Sequence, residues 1–360
     1  GKLLIETPWH STKSLIGRGD SAHKNMADVP PALTLELPKK SDLPNTFKPW
    51  NEVHLPIDIL LLTVDDCEFL ACFTYLRNAI KSYQKNLGFV YFGNMGESGD
   101  VPLKVALMTC FEGSSVPHGS LVTVKNAVVE LRPKAVFYIG CCEGLNPEVT
   151  KLQLGDVVVS SKLTTESLKT PVGRDILHLV RHADHGWIPP LKCPEDRKVQ
   201  VCCGGDILSG IKPVSAKQQN MSHITQATAF EIGGEGLFVA AHDLKIEWVI
   251  VKGISHFANG NNPAENSWES HACIMAASLV SNMLKDPFLR SIYETNSKVK
   301  IVPWDQSSAV HIDEIYTHLS WLMDEKKPSG VTQKELKHYT DIFHCGRLHH
   351  KPKRILVHGR

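Results

Sequence analysis

Short apolar runs alternate with longer segments of helical spacing from residue 57 to residue 285. Ile57 to Val64 reads IDILLLTV between Pro56 and the pair Asp65-Asp66, the length and bounding of a buried strand. Phe69, Phe73, Leu76 and Ile80 then recur at helical intervals. Lys104 to Cys110 predicts another strand, and Leu121, Val124, Val128 and Leu131 form one face of a helix that Pro133 closes. Ala135 to Ile139, Gly155 to Ser161 and Trp248 to Ile254 predict further strands. Glu235 to Asp243 predicts a helix, as does Ser267 to Lys285, with Ala272, Met275, Leu279 and Met283 on one face. From Ser161 to about residue 198 the chain is polar and reads as a long excursion. Strands alternating with helices at this spacing indicate a layered α/β domain.

The pattern is weaker on both flanks. Prolines at 8, 30, 31, 38, 44 and 49 make residues 1–54 an arm or linker. The domain spans 55–287. Residues 288–360 read as a helical linker, in which Ile312, Ile315, Tyr316, Leu319 and Leu322 define an amphipathic helix stopped by Pro328-Ser329-Gly330.

Composition narrows the function. The 39 Lys and Arg nearly cancel the 38 Asp and Glu, which removes any global electrostatic case for nucleic acid or an acidic membrane. No apolar run approaches the ~20 residues that span a bilayer. Ten scattered cysteines, with no C-x-x-C pair, are neither a disulfide scaffold nor a zinc module, and free thiols in a cytoplasmic protein are the expectation. Cys345 with His344, His349 and His350 fits no standard metal spacing. No metal or cofactor is expected.

Chemistry concentrates in three segments. WVIVKGISHFANG (248–260) is a strand that opens through Gly253 into a polar turn carrying His256 and Asn259, and ligands of α/β sheets bind beyond such strand ends. IGCCEGLNPEVTKLQLGDVVVSS (139–161) joins a glycine-rich loop to a strand, and FEIGGEGLFVAA (230–241) leads acidic residues into a helix. Together, in this order and spacing, they resemble the nucleoside phosphorylase and nucleosidase superfamily, most closely the branch of methylthioadenosine/S-adenosylhomocysteine nucleosidase. The resemblance implies a nucleoside phosphorylase-like three-layer αβα sandwich with a central mixed sheet. It also implies cleavage of a purine N-ribosidic bond in a nucleoside or nucleotide, with water or phosphate as nucleophile. The closing PKRILVHGR and the helix before it look like the lead-in to a NACHT-type domain. A catalytically weakened nucleoside-binding or signalling module of a NACHT-type receptor is therefore the alternative. A second copy of the chain is a further candidate partner.

Carried over residue by residue, the resemblance puts His256 where the family has an aspartic acid that serves purine N7, and Glu68 where it has its water-activating glutamate. An imidazole can donate a proton near neutrality. The substrate-binding positions are Gly140, Cys141, Cys142, Glu143, Glu231, Ile232 and Gly233. Gly233 replaces the carboxylate that holds the ribose hydroxyls, Glu231 is its nearest substitute, and Glu143 stands where a glycine loop lets the base approach. Restoring Gly233→Glu and His256→Asp together is expected to raise activity.

Overall fold

The computed structural model describes residues 29–96, 102–145, 147–165, 169–210, 227–258 and 267–286, and the strand segments 298–300, 309–311, 321–327 and 330–336. They divide into two compact units, one of Gly1–Met95 with Pro102–Met283, the other of Gly96–Val101 with Leu284–Arg360.

In the first unit, β1 (Ile59–Thr63) is apolar and buried at every position, as its unbroken run requires. Asp65 then starts α1 (Asp66–Thr74), its side chain accepting from Glu68 N at 2.8 Å. This cap and the acidic first turn both favour a helix N-terminus. The helix stops at Tyr75, five residues short of Ile80. Ile80 instead lies on β2 (Arg77–Gln84), which forms an antiparallel ribbon with β3 (Gly88–Met95). The helical spacing was accidental there, because the cross-strand partners of β2 lie beyond the reach of a local pattern. Next come β4 (Leu103–Thr109), α2 (Ser120–Leu131), β5 (Ala135–Gly144), the single turn α3 (Pro147–Thr150) and β6 (Val157–Thr164).

The polar excursion after residue 161 contains structure that its composition hid. It holds β7 (Lys169–Pro171) and α4 (Arg174–Arg181), and is followed by β8 (Val201–Ser209) and β9 (Ala229–Glu231). In α4, Ile176, Leu179 and Val180 are buried, a narrow apolar stripe among basic residues. The unit closes with α5 (Gly234–Leu244), β10 (Glu247–Phe257) and α6 (Ser267–Met283).

The ten strands β1 to β10 form one mixed sheet in the order β10-β6-β8-β9-β5-β1-β4-β3-β2, with β7 on β6. β10 also pairs with β5, so β5, β10, β6, β8 and β9 close on themselves around the end of β5. Helices pack in two pairs, α1 with α6 and α2 with α5. Gly253 is needed on β10 because a Cβ there would strike the backbone of Ala272 in α6. Among the described residues no helix is long and apolar enough to cross a membrane.

The second unit has two antiparallel pairs, β11 (Lys298–Lys300) with β12 (Ala309–His311) and β13 (Trp321–Lys327) with β14 (Gly330–Leu336). Leu322 therefore belongs to a strand and not to the expected helix, whose other positions lie outside the described residues. Gly330, expected to stop that helix, is the first residue of β14, and Pro328 and Ser329 lie outside the described residues. The PKRILVHGR segment and the Cys345 and His344 cluster also lie outside the described residues.

One buried titratable group ties stability to pH. His271 on α6 is 2% exposed and packs edge-on to Trp268. Burial, reinforced by the nearby Arg197 guanidinium, pushes its imidazole down to about 4. An unfolded histidine titrates near 6.5, so below that pH the unfolded chain binds a proton that the folded chain refuses. Stability from this residue is present above about pH 6.5 and is lost as pH falls toward 4. Urea unfolding at pH 7 and pH 4.5 should show the wild type losing on the order of 2 to 3 kcal/mol more than His271→Gln. Equal losses in both proteins would remove His271 as the cause.

Candidate active site

The sheet register assembles the site. On the closed end of the sheet Glu143 is paired with His256 of β10 and with Phe230 of β9. The β10 ladder shifts between Ile254 and His256, leaving Ser255 as an extra residue. Such a bulge re-aims the side chain that follows it. Here His256 Nε2 lies 3.7 Å from Glu143 Oε2, and Ser255 Oγ lies 2.9 Å from His256 Nδ1. The pair opens into a cavity of about 250 Å³ lined by Glu68, Tyr138, Glu143, Glu231, Lys252 and His256, together with Val64, Asp65, Glu112, Cys141, Cys142, Phe230 and Ile232.

The same cavity is lined by a buried ion pair. Lys252 Nζ lies 3.1 Å from Glu68 Oε1, with 3% and 4% of the two side chains exposed. Glu68 Oε1 also accepts from Cys141 N at 3.0 Å, and Oε2 accepts from Val64 N at 2.6 Å. Lys252 donates to Ile139 O at 3.3 Å and sits 4.0 Å from the centroid of the Tyr138 ring. Burial alone would lower the lysine, but the charges on Glu68 and Glu231 outweigh it and hold the ammonium well above its ordinary range. Burial holds the Tyr138 phenol protonated.

Glycine is required at Gly140, where φ is +154° and a Cβ would overlap the Glu68 carboxylate. This position therefore makes room for the acid rather than for a ligand, and it does not line the cavity. Glu231 is buried, with 6% of its surface exposed, and burial raises its carboxyl against the opposing pull of Lys252. Its two oxygens accept from Gly233 N and Gly234 N, both at 2.8 Å. Ser209 Oγ takes Glu235 N and Ser114 Oγ takes Gly236 N, both at 3.0 Å. All four leading N–H groups of α5 are thus satisfied by side chains, and Glu231 caps the helix.

Gly233 is also off the cavity wall. A Cβ at Gly233 would collide with the Tyr138 hydroxyl. A glutamate at this position would therefore have to displace the Tyr138 hydroxyl. Cys141, Cys142, Glu143, Glu231, Ile232, Glu68 and His256 do line one cavity. Asn259 and Gly260 lie outside the described residues. Lys252 and Tyr138 escaped the sequence reading. The signal was a single cation in the apolar run WVIVKGI and a single hydroxyl in AVFYIG.

Asp65, Glu68 and Cys141 are a group of described residues whose ligand atoms lie within 4.8 Å of one another. Glu68 is already committed to Lys252 and two backbone N–H groups, and an ammonium beside a metal ion would repel it. The cluster is better described as an ion-pair hub.

No family model matches the sequence. The chain is similar to a death domain-containing ATP nucleosidase of Amphimedon queenslandica, 26% identical over 273 residues that cover 66% of this chain and 50% of that protein. It thus spans about half the length of the curated relative it matches. Among solved structures it is similar to the methylthioadenosine/S-adenosylhomocysteine nucleosidase of Colwellia psychrerythraea in complex with adenine. The TM-score is 0.51 and the identity 15%, over 64% of this chain and 95% of that one. A putative nucleosidase of the same kind from Borrelia burgdorferi, bound to adenine, gives 0.51 and 16% over 63% and 99%. The domain has the nucleoside phosphorylase-like fold of these nucleosidases.

The ion pair makes a direct prediction. Removing one partner strands the other charge in a buried site, at a cost of about 3–5 kcal/mol. Lys252→Met and Glu68→Gln should each lower the urea unfolding free energy on that scale, and the double variant should lose much less than their sum. Additive losses would mean that the two charges do not depend on each other. Gly233→Glu alone should lower the melting temperature and raise no activity; an unchanged melting temperature would show that Tyr138 yields freely.

Proposed function

We propose that this domain hydrolyses the N-ribosidic bond of an adenine nucleoside or nucleotide. The observation that carries the reading is one cavity lined by both a carboxylate–ammonium pair and an imidazole–carboxylate pair. Glu68 takes a proton from water as the oxygen attacks C1′, and Lys252 fixes the position of its carboxylate. The C1′–N9 bond breaks with its electron pair going to the base, and His256 donates a proton to N7. General acid help of this kind contributes about 10²–10⁴-fold. Tyr138 Oη and the remaining lone pairs of Glu231 stand at the ribose end in place of the missing carboxylate at Gly233.

Water is favoured over phosphate by charge. Asp65, Glu68, Glu112, Glu143 and Glu231 line the cavity together with Lys252 and His256, and an added phosphate dianion would meet a surplus of negative charge. The cavity volume of about 250 Å³ lies below the 300–1,000 Å³ of drug-sized sites. It suits a base and sugar, with any 5′-phosphates outside the acidic wall. The ATP nucleosidase relative supports the nucleotide as substrate, and the absence of a membrane-crossing helix among the described residues fits a cytoplasmic enzyme.

Base choice follows from donor and acceptor order. Adenine presents N7 as acceptor and N6–H₂ as donor on one edge, whereas guanine presents N7 and O6, both acceptors. An imidazolium donor and a carboxylate acceptor 3.7 Å apart match the first edge and repel the second. A second reading, a binding module with little turnover ahead of a NACHT-type domain, is favoured by the lost carboxylate at Gly233.

Incubating the chain with adenosine, AMP, ATP, inosine and guanosine, with and without phosphate, tests both. Free adenine should appear without phosphate, and Glu68→Gln and His256→Ala should each reduce it about 10²-fold. Glu143→Gln, which can donate to O6, should narrow the preference for adenine at least about tenfold. Base release that needs phosphate would sink the hydrolase, and saturable binding without release would establish the second reading.

A further inference from the structure

Ser255 is the extra residue where the β10 ladder shifts, and its hydroxyl makes two contacts. Oγ donates to Cys142 O on β5 at 3.2 Å and lies 2.9 Å from His256 Nδ1. A serine hydroxyl has one proton to donate and lone pairs that accept. A carbonyl oxygen can only accept, so the hydroxyl proton is spent on Cys142 O. Oγ then meets the ring with a lone pair, and the 2.9 Å contact requires a proton on Nδ1. Among the described residues Nδ1 meets no other hydrogen-bond partner. Nε2 is left facing Glu143, 3.7 Å from its Oε2.

We propose that Ser255 is a positioning residue that fixes the tautomer of His256, so that Nε2 alone takes up and gives the transferable proton. Which ring nitrogen of a histidine is protonated is set by the bond that the other nitrogen makes. Here that bond is anchored to β5 itself, because Cys142 and Glu143 are consecutive on that strand. One hydroxyl therefore fixes the ring against the strand that carries its carboxylate neighbour.

In the charged ring both nitrogens bear protons, Nδ1–H on Ser255 and Nε2–H toward the cavity. Transfer to N7 of the base breaks the Nε2–H bond and leaves its electron pair on the ring. The product is a neutral imidazole that is still protonated at Nδ1. Solvent then returns a proton to Nε2, and Glu68 releases to solvent the proton it took from the attacking water. One turnover thus neither gains nor loses a proton. The opposite tautomer would turn the bare lone pair to Ser255. The ring would then have to be recharged at the nitrogen held against the serine, and not at the one that gives the proton.

The effect on turnover rests on the proposed hydrolase reading, whereas the tautomer does not, and two measurements separate them. Proton–nitrogen NMR correlations across the imidazole rings of the full chain distinguish a protonated from a bare ring nitrogen. The signals of His256 are those that His256→Ala removes from the set of 18 histidines. With the ring neutral, the wild type should show Nδ1 protonated and Nε2 bare. Ser255→Ala should mix or reverse the two forms, and Ser255→Thr, which keeps the hydroxyl, should restore the wild-type pattern. Adenine release by Ser255→Ala should fall about tenfold in kcat with KM little changed, a part of the about 10²–10⁴-fold that a general acid supplies. Ser255→Thr should recover it. A wild type protonated at Nε2 overturns the proposal, as does a Ser255→Ala ring that stays fully protonated at Nδ1. A lost tautomer with unchanged kcat overturns its part in turnover. A fixed tautomer in a chain that releases no adenine counts against the hydrolase reading alone.

Discussion

A carboxylate and an ammonium held 3.1 Å apart and almost sealed from water constrain most of what surrounds them. Neither charge is tolerable alone at that depth, so the chain must bring β10 and the start of α1 together. Glu68 is further fixed by N–H groups from Val64 and Cys141, the residues that follow β1 and extend β5. One side chain thereby ties three adjacent strands to one helix. The glycine at 140 is a consequence of this arrangement, since nothing larger fits beneath the acid. Tyr138 lies under the ammonium, and its hydroxyl in turn keeps position 233 free of any side chain.

The other half of the cavity is built by register and not by charge. Closing the sheet on the end of β5 makes Glu143 a neighbour of two strands at once, and the bulge at Ser255 turns His256 toward it. An imidazole and a carboxylate then stand side by side on the cavity wall. Two departures from the resembled family are connected here. The histidine in place of the acid and the glutamate in place of a glycine are neighbours on one cavity wall, whereas Gly233 lies off it against Tyr138.

Much of the fold was legible because burial leaves a strong local mark. β1, the first part of β5 and β10 are apolar runs that no loop would carry, and α6 is long and apolar enough to declare itself. The segments that were misread share one cause. Ile80 kept a helical interval by chance while its partners lay across a ribbon, and α4 showed only a thin apolar stripe among basic residues. β8 and β9 gain their identity from pairing with β6 and β5, which no window along the chain contains.

For the site, the residue types and their order along the chain were enough to place seven of the cavity-lining positions and the family they resemble. Sequence alone could do this because strand ends and helix starts put chemistry at predictable points of an α/β layer. The roles of Lys252 and Tyr138, the capping by Glu231 and the exclusion of a side chain at Gly233 were decided only in three dimensions. Each depends on a contact between residues far apart in the chain, where burial turns a lone cation into half of an ion pair and an apparent vacancy into occupied space.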